Sequence, residues 1–198
     1  MKYHENILSV ARLQPDFMGF IFYDQSSRYF NEAPPELPKE IKKTGVFVNA
    51  SLQEVKKVIE HHNLDMIQLH GQESPEYCKE LQHTEVIKVF SIKDKFNFSQ
   101  LLAYEEACDF YLFDTKGSLP GGNGYSFNWD VLKDYPSKKP YFLSGGIGLK
   151  EIDKIKAFLS TKYSKYCYAI DVNSKFELEP GLKNTNELEK FRYELQCK

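Results

Sequence analysis

One rhythm governs this chain: a short apolar run, a turn, then an amphipathic stretch, repeated to the end. The apolar runs cover 17–22, 45–48, 66–69, 86–90, 110–113, 141–143 and 168–170. Most are continuous rather than alternating, as strands read when both faces of a parallel sheet are covered. Helix signals lie between them. Ser51 and Glu54 have the form of a capping box, followed by the one-sided stripe Leu52, Val55, Val58 and Ile59. Ser74 before Pro75 reads as an N-cap with proline at the first helical position. Leu188, Phe191 and Leu195 repeat at helical spacing behind Asn184 and Thr185. Ile7, Val10, Ala11 and Leu13 give a helix with no strand ahead of it.

Strand alternating with helix means a parallel α/β fold, either an open doubly wound sheet or a closed barrel. An open sheet normally carries a glycine-rich turn after its first strand. Here Phe22 is followed by Tyr23, Asp24, Gln25, Ser26, Ser27 and Arg28. Polar and glycine-rich residues instead follow several strands around the fold, and in a barrel those strand ends converge on one face. The reading is a (β/α)8 TIM-type barrel of one domain spanning 1–198. About seven strands are present, and the leading helix marks the first as the missing one. Ser144, Gly145, Gly146, Ile147 and Gly148, then Asn173 and Ser174, follow the last two strands. That is where barrels hold a phosphate on backbone N–H groups, which glycine lets approach closely.

Composition narrows the partners. A net charge of -2, with bases and acids mixed along the helices, removes any sequence-independent attraction to nucleic acid. No apolar run nears the roughly 18–20 residues that span a bilayer, and residues 1–11, with His4 and Glu5, do not read as a signal peptide. Cys78, Cys108, Cys167 and Cys197 are scattered without a CxxC pair, which argues against zinc or a disulfide framework and for a reducing cytoplasm.

Six strand-end segments then fall in a telling order: Ser26-Ser27-Arg28; Gln68-Leu69-His70-Gly71; Phe113-Asp114-Thr115; Gly121-Gly122-Asn123-Gly124; Ser144-Gly145-Gly146-Ile147-Gly148; and Ile170-Asp171-Val172-Asn173-Ser174. Glu179-Pro180-Gly181-Leu182-Lys183 and Leu13-Gln14-Pro15-Asp16 add to the set. In order and spacing the series resembles the phosphoribosylanthranilate isomerases of tryptophan biosynthesis, over essentially the whole chain.

The resemblance implies an aldose–ketose isomerase that performs an Amadori rearrangement on a small phosphosugar, with no metal and no organic cofactor. It makes Asp114 the general acid. Asp114 directly follows the apolar Tyr111, Leu112 and Phe113, where burial would raise a carboxyl toward use near neutrality; a bare turn aspartate is the plain alternative. Arg28 matches the arginine that binds the anthranilate carboxylate, a planar group suited to a guanidinium fork, with Ser27 where the family commonly has proline. Gly145, Gly146, Asn173 and Ser174 are expected at the phosphate. Asp171 is expected near the amino or sugar part, and His70 supports or packs the site. The 121–124 glycines look like a mobile loop, although a plain connection reads as well.

One departure matters. The family carries its general base, a cysteine, on the first strand, and no such motif occurs here. By position none of the four cysteines replaces it: Cys78 falls on a helix, Cys108 and Cys167 precede strands, and Cys197 is in the tail. The expectation is a natural protein that begins further upstream, with the chain as written impaired; a non-catalytic phosphosugar-binding barrel is the alternative. Another phosphate-binding barrel enzyme would lack the Arg28 and His70 segments in these places. A missing strand would also bare the edges of its two neighbours, inviting a homodimer there.

Overall fold

The computed structural model of the chain describes residues 1–93, 95–115 and 128–196. The apolar runs form β1 (Phe17–Ile21), β2 (Lys42–Phe47), β3 (Met66–Leu69), β4 (Glu85–Ile92), β5 (Phe110–Thr115), β6 (Tyr141–Leu143) and β7 (Cys167–Ile170). They pair in sequence order, all parallel, in one seven-stranded sheet. Around it lie α1 (His4–Ala11), α2 (Leu52–His62), α3 (Pro75–Lys79), α4 (Ile152–Leu159) and α5 (Thr185–Gln196). The caps expected from sequence are made: Ser51 Oγ accepts from the Glu54 amide and Ser74 Oγ from that of Tyr77.

Alternation along the strands divides two cores. Met66, Ile87, Val89, Phe110, Leu112 and Phe142 fill the inside of the curled sheet, with Phe17 and Ala169 against them. Their neighbours Ile67, Leu69, Val86, Phe90, Tyr111, Phe113, Tyr141 and Leu143 face outward into the layer shared with the helices. The sheet curls until its first strand meets its last. The Phe17 ring lies edge-on to Phe142 at 5.1 Å and 6.0 Å from Tyr168 of β7.

The curl does not close as a backbone ladder. Among the described residues β1 pairs with β2 and β7 with β6, but not with each other, so seven strands leave the seam expected of a barrel lacking one. Side chains and a small hairpin occupy that seam. The hairpin, β8 (Glu177–Glu179) with β9 (Leu182–Lys183), is antiparallel and turns at Gly181, whose φ of 88° suits glycine. Asn6 of α1 docks on it like a peptide group: Nδ2 donates to the Lys183 carbonyl at 2.8 Å and Oδ1 accepts the Lys183 amide at 2.7 Å. Tyr3 donates to Glu179 at 2.7 Å, and the Met1 nitrogen donates to the Gly19 carbonyl on the outer edge of β1.

Some details were not visible in the sequence or depart from its reading. The connections 98–104 and 129–134 are 3-10 turns. Each opens on an asparagine, Asn97 or Asn128, whose side chain takes the amide two residues on and sets a tight turn. Cys167 is the first residue of β7 rather than preceding it. The β8–β9 hairpin was not foreseen.

Candidate active site

The strand ladders continue one residue past their ends, and this fixes the polar groups above the core. The His70 amide donates to the Phe47 carbonyl at 2.9 Å, Ser144 to Phe113 at 2.9 Å, and Asp171 to Leu143 at 2.8 Å. Asp114, two residues beyond the inward Leu112, pairs in register with Ser91. It is buried, and its Oδ1 accepts the Thr115 amide at 2.7 Å. Burial, and then the charge of Asp171, push its carboxyl up to about 6, against the pull of the Thr115 amide. Asp171 is raised as well, mainly by burial; a 2.7 Å hydrogen bond from Ser144 Oγ and the charge of Lys183 oppose the shift. Two carboxylates that repel across one site titrate as a pair, which keeps a proton on the pair at pH values where isolated aspartates have lost theirs.

Gly145 packs directly on Asp114 and Thr115. Its φ is 94°, and a Cβ there would sit 2.2 Å from Thr115 Oγ1 and 2.9 Å from Asp114 Oδ1. Gly146 follows with φ 66°. Gly145→Ala is therefore expected to cost about 1–3 kcal/mol in backbone strain and to displace Asp114. Thermal unfolding would show a lowered midpoint; an unchanged midpoint would mean the loop relaxes freely. The β7 loop leans on the same turn, with Lys175 packed over Gly148. The amide of Gly148 is already taken by Glu151 Oε2 at 2.8 Å, so it is not a phosphate donor.

Asn173 and Ser174 follow β7, and Asn173 is engaged: its backbone and side-chain carbonyls both accept from Lys183 Nζ. Lys183 also holds Glu177 at 2.9 Å, and Glu177 holds Arg28 through Nε at 2.9–3.0 Å and Nη2 at 2.7 Å. Arg28 is thus an ion-paired arginine at the seam, not a loose one. Burial alone would raise Glu177, yet the hydrogen bond from Arg28 and the charge of Lys183 bring it down to about 2.

His70 is held on the other side of the mouth. Its Nε2 lies 3.1 Å from Gln68 Oε1, and burial together with the nearby Lys88 lowers the imidazole to about 4, so it is neutral near pH 7. Lys88, 3% exposed, donates to the carbonyls on both sides of it, Leu69 at 3.3 Å and Gly71 at 2.8 Å, and to Glu73 at 2.8 Å. Glu73 Oε1 in turn takes the amides of Asn49 and Gly71. Sequence reading missed Glu73, Lys88, Glu177 and Lys183. A lysine inside the apolar run 86–90 was the visible signal, since a buried cation needs a partner.

The cysteines are elsewhere. Cys78 and Cys108 are buried, Cys167 lies at the start of β7, and burial raises the thiols to about 11, 12 and 12 respectively. The 121–124 glycines and Cys197 lie outside the described residues. Among the described residues no three His, Cys, Asp or Glu side chains stand together as a metal site.

The family model for N-(5'-phosphoribosyl)anthranilate (PRA) isomerase matches residues 1–193. The chain belongs to the PRA isomerase family. The N-(5'-phosphoribosyl)anthranilate isomerase of Phocaeicola vulgatus is 39% identical over 200 residues, covering 100% of this chain and 96% of the relative. The phosphoribosyl anthranilate isomerase of Thermus thermophilus superposes with a TM-score of 0.83 at 24% identity, over 98% of this chain and 94% of that one, a likeness of fold. A PRA isomerase in complex with reduced 1-(o-carboxyphenylamino)-1-deoxyribulose 5-phosphate gives 0.79 at 26% identity, over 100% and 96%. The seven-stranded curled sheet is thus the PRA isomerase barrel with its seam at the first-strand position.

Proposed function

We propose that the chain acts on N-(5'-phosphoribosyl)anthranilate and isomerises it to 1-(2-carboxyphenylamino)-1-deoxyribulose 5-phosphate, a step of tryptophan biosynthesis. Asp114, buried at the convergent strand ends with the charge of Asp171 beside it, carries this reading, because it supplies a carboxylic acid near neutrality. Asp114 donates its proton to the ribose ring oxygen. The C1–O bond breaks, and the anilinic nitrogen lone pair closes a C=N bond. Loss of the C2 proton then moves the C–H electrons into a C1=C2 bond, giving an enolamine. Transfer of a proton to C1 and loss of the hydroxyl proton complete the ketone. The product is an isomer, so no oxidant, reductant or group donor enters.

Arg28 takes the aromatic carboxylate, Gly145, Gly146, Asn173 and Ser174 form the phosphate side, Asp171 faces the sugar, and neutral His70 lines the opposite wall. Burial holds the described thiols in their protonated form, which makes them poor acceptors for the C2 proton, so slow turnover is expected. Residues 1–198 are read as one barrel domain of a cytoplasmic enzyme, consistent with its free thiols. A homodimer remains the expected assembly, along the seam where, among the described residues, β1 and β7 lack a strand partner and side chains fill in for one.

Because substrate and product have the same mass, turnover is best followed by NMR, as loss of the anomeric proton and appearance of a ketone carbon. Formation of the ketose supports the reading. Tight binding with no conversion would make the protein a phosphosugar-binding barrel, and neither binding nor conversion would remove the assignment.

A further inference from the structure

Glu177 has no part in the proton transfers, yet among the described residues its carboxylate is the most heavily used acceptor in the molecule's mouth. It receives Arg28 Nε and Nη2, Lys183 Nζ and the Gly181 amide at 3.0 Å. The side chain is 5% exposed and that of Arg28 20%, so this is not a solvated surface pair. The contact occupies the Nε–Nη2 edge of the guanidinium. The other edge, Nη1 with the outer proton of Nη2, is not used by it and is the edge a second carboxylate would take side by side.

Lys183 is the backstop rather than a ligand group. An ammonium has three protons, and here they go to the two carbonyls of Asn173 and to Glu177. Arg28 belongs to the loop after β1 and Asn173 to the loop after β7, two strands that no ladder joins. The relay Arg28–Glu177–Lys183–Asn173 therefore fixes their separation. With Glu177 neutral, two cations would face each other with nothing between them, and the arginine would swing away.

We propose that Glu177 is a positioning residue that aims the free edge of Arg28 at the aromatic carboxylate of the substrate and sets that anchor's distance from the phosphate-side loop. The inference rests on the functional reading above. The ligand pair that tests it is reduced 1-(o-carboxyphenylamino)-1-deoxyribulose 5-phosphate and its analogue lacking the ring carboxylate, both titrated calorimetrically. The wild-type chain is expected to prefer the carboxylated ligand. Glu177→Gln should remove about ten- to a hundredfold of that preference, the scale of a charged hydrogen bond, while the affinity for the analogue stays within about twofold. Glu177→Asp keeps a charge for Lys183 but draws the guanidinium back by one methylene; it should lose preference too, and it serves if the glutamine variant does not fold.

Equal losses on both ligands, or none, would overturn the inference by reducing Glu177 to support of the fold. A wild-type chain that binds both ligands equally would overturn it as well, leaving the phosphosugar reading intact. A wild-type chain that binds neither overturns the functional reading and the inference with it.

Discussion

Asp114→Asn is expected to lower turnover by about 10²- to 10⁴-fold, the usual worth of a well-placed acid, with little change in KM and with greater stability above neutrality. Both effects come from the same burial. The asparagine keeps the Oδ1 that accepts the Thr115 amide, so the turn survives. It removes an acid whose folded value of about 6 lies well above its ordinary 3.8. A carboxyl raised in the folded state binds its proton more tightly there than in the unfolded chain. It therefore withdraws stability as pH climbs from about 4 to 6, and the deficit stays above 6. At about 1.4 kcal/mol per pKa unit, the two-unit shift sets an upper scale of about 3 kcal/mol. Denaturant unfolding at pH 4 and pH 8 would show the variant gaining only at the higher pH. In the native protein, turnover should fall as pH rises through about 6, because the acid form is lost. A variant that retains full activity, or that is no more stable at pH 8, would remove Asp114 from the acid's role.

Lys88→Met is expected to cost about 3–5 kcal/mol, the penalty for leaving one member of a buried ion pair alone. The side chains of Lys88 and Glu73 are 4% and 1% exposed. With the cation gone, Glu73 keeps only the amides of Asn49 and Gly71 in a dry layer, and the carbonyls flanking His70 lose their donor. Adding Glu73→Gln should recover most of the loss. The glutamine keeps an oxygen for those two amides and offers an NH2 to the carbonyls. Guanidinium unfolding of the single and double variants measures the coupling; a single variant within about 1 kcal/mol of native would refute the pair's importance.

These two sites show how far one-dimensional pattern reaches. Asp114 was readable because strand period and motif order both place it at the top of the barrel. The seven strands were readable for a related reason: parallel strands covered on both faces advertise themselves as unbroken apolar runs. Lys88 stood out as an anomaly inside such a run, but nothing in the sequence picks Glu73 over Glu76 or Glu80 as its partner. That choice is made by the loop after β3 folding back beneath His70. Arg28 was readable as a candidate anchor from its place after β1, yet its engagement by Glu177 comes from a hairpin 149 residues away that is docked on α1. The two 3-10 connections were hidden because an asparagine at a helix start also caps an ordinary helix.

The seam between β1 and β7 has a consequence for the order in which the molecule assembles. Every ladder joins strands adjacent in sequence, so the sheet can grow from local contacts with small losses of chain entropy at each step. The seam contacts are of another kind. Asn6 meets Lys183 across 177 residues, and Tyr3 meets Glu179 across 176. These are among the most distant encounters in the chain, and they become favourable only after the curl has brought its ends together. The Arg28–Glu177 contact is completed by the same encounter, so the half of the mouth proposed to read the aromatic acid is expected to form last. On that reading, a nascent or partly folded chain would carry a finished Asp114 end before it could tell its substrate from any other sugar phosphate.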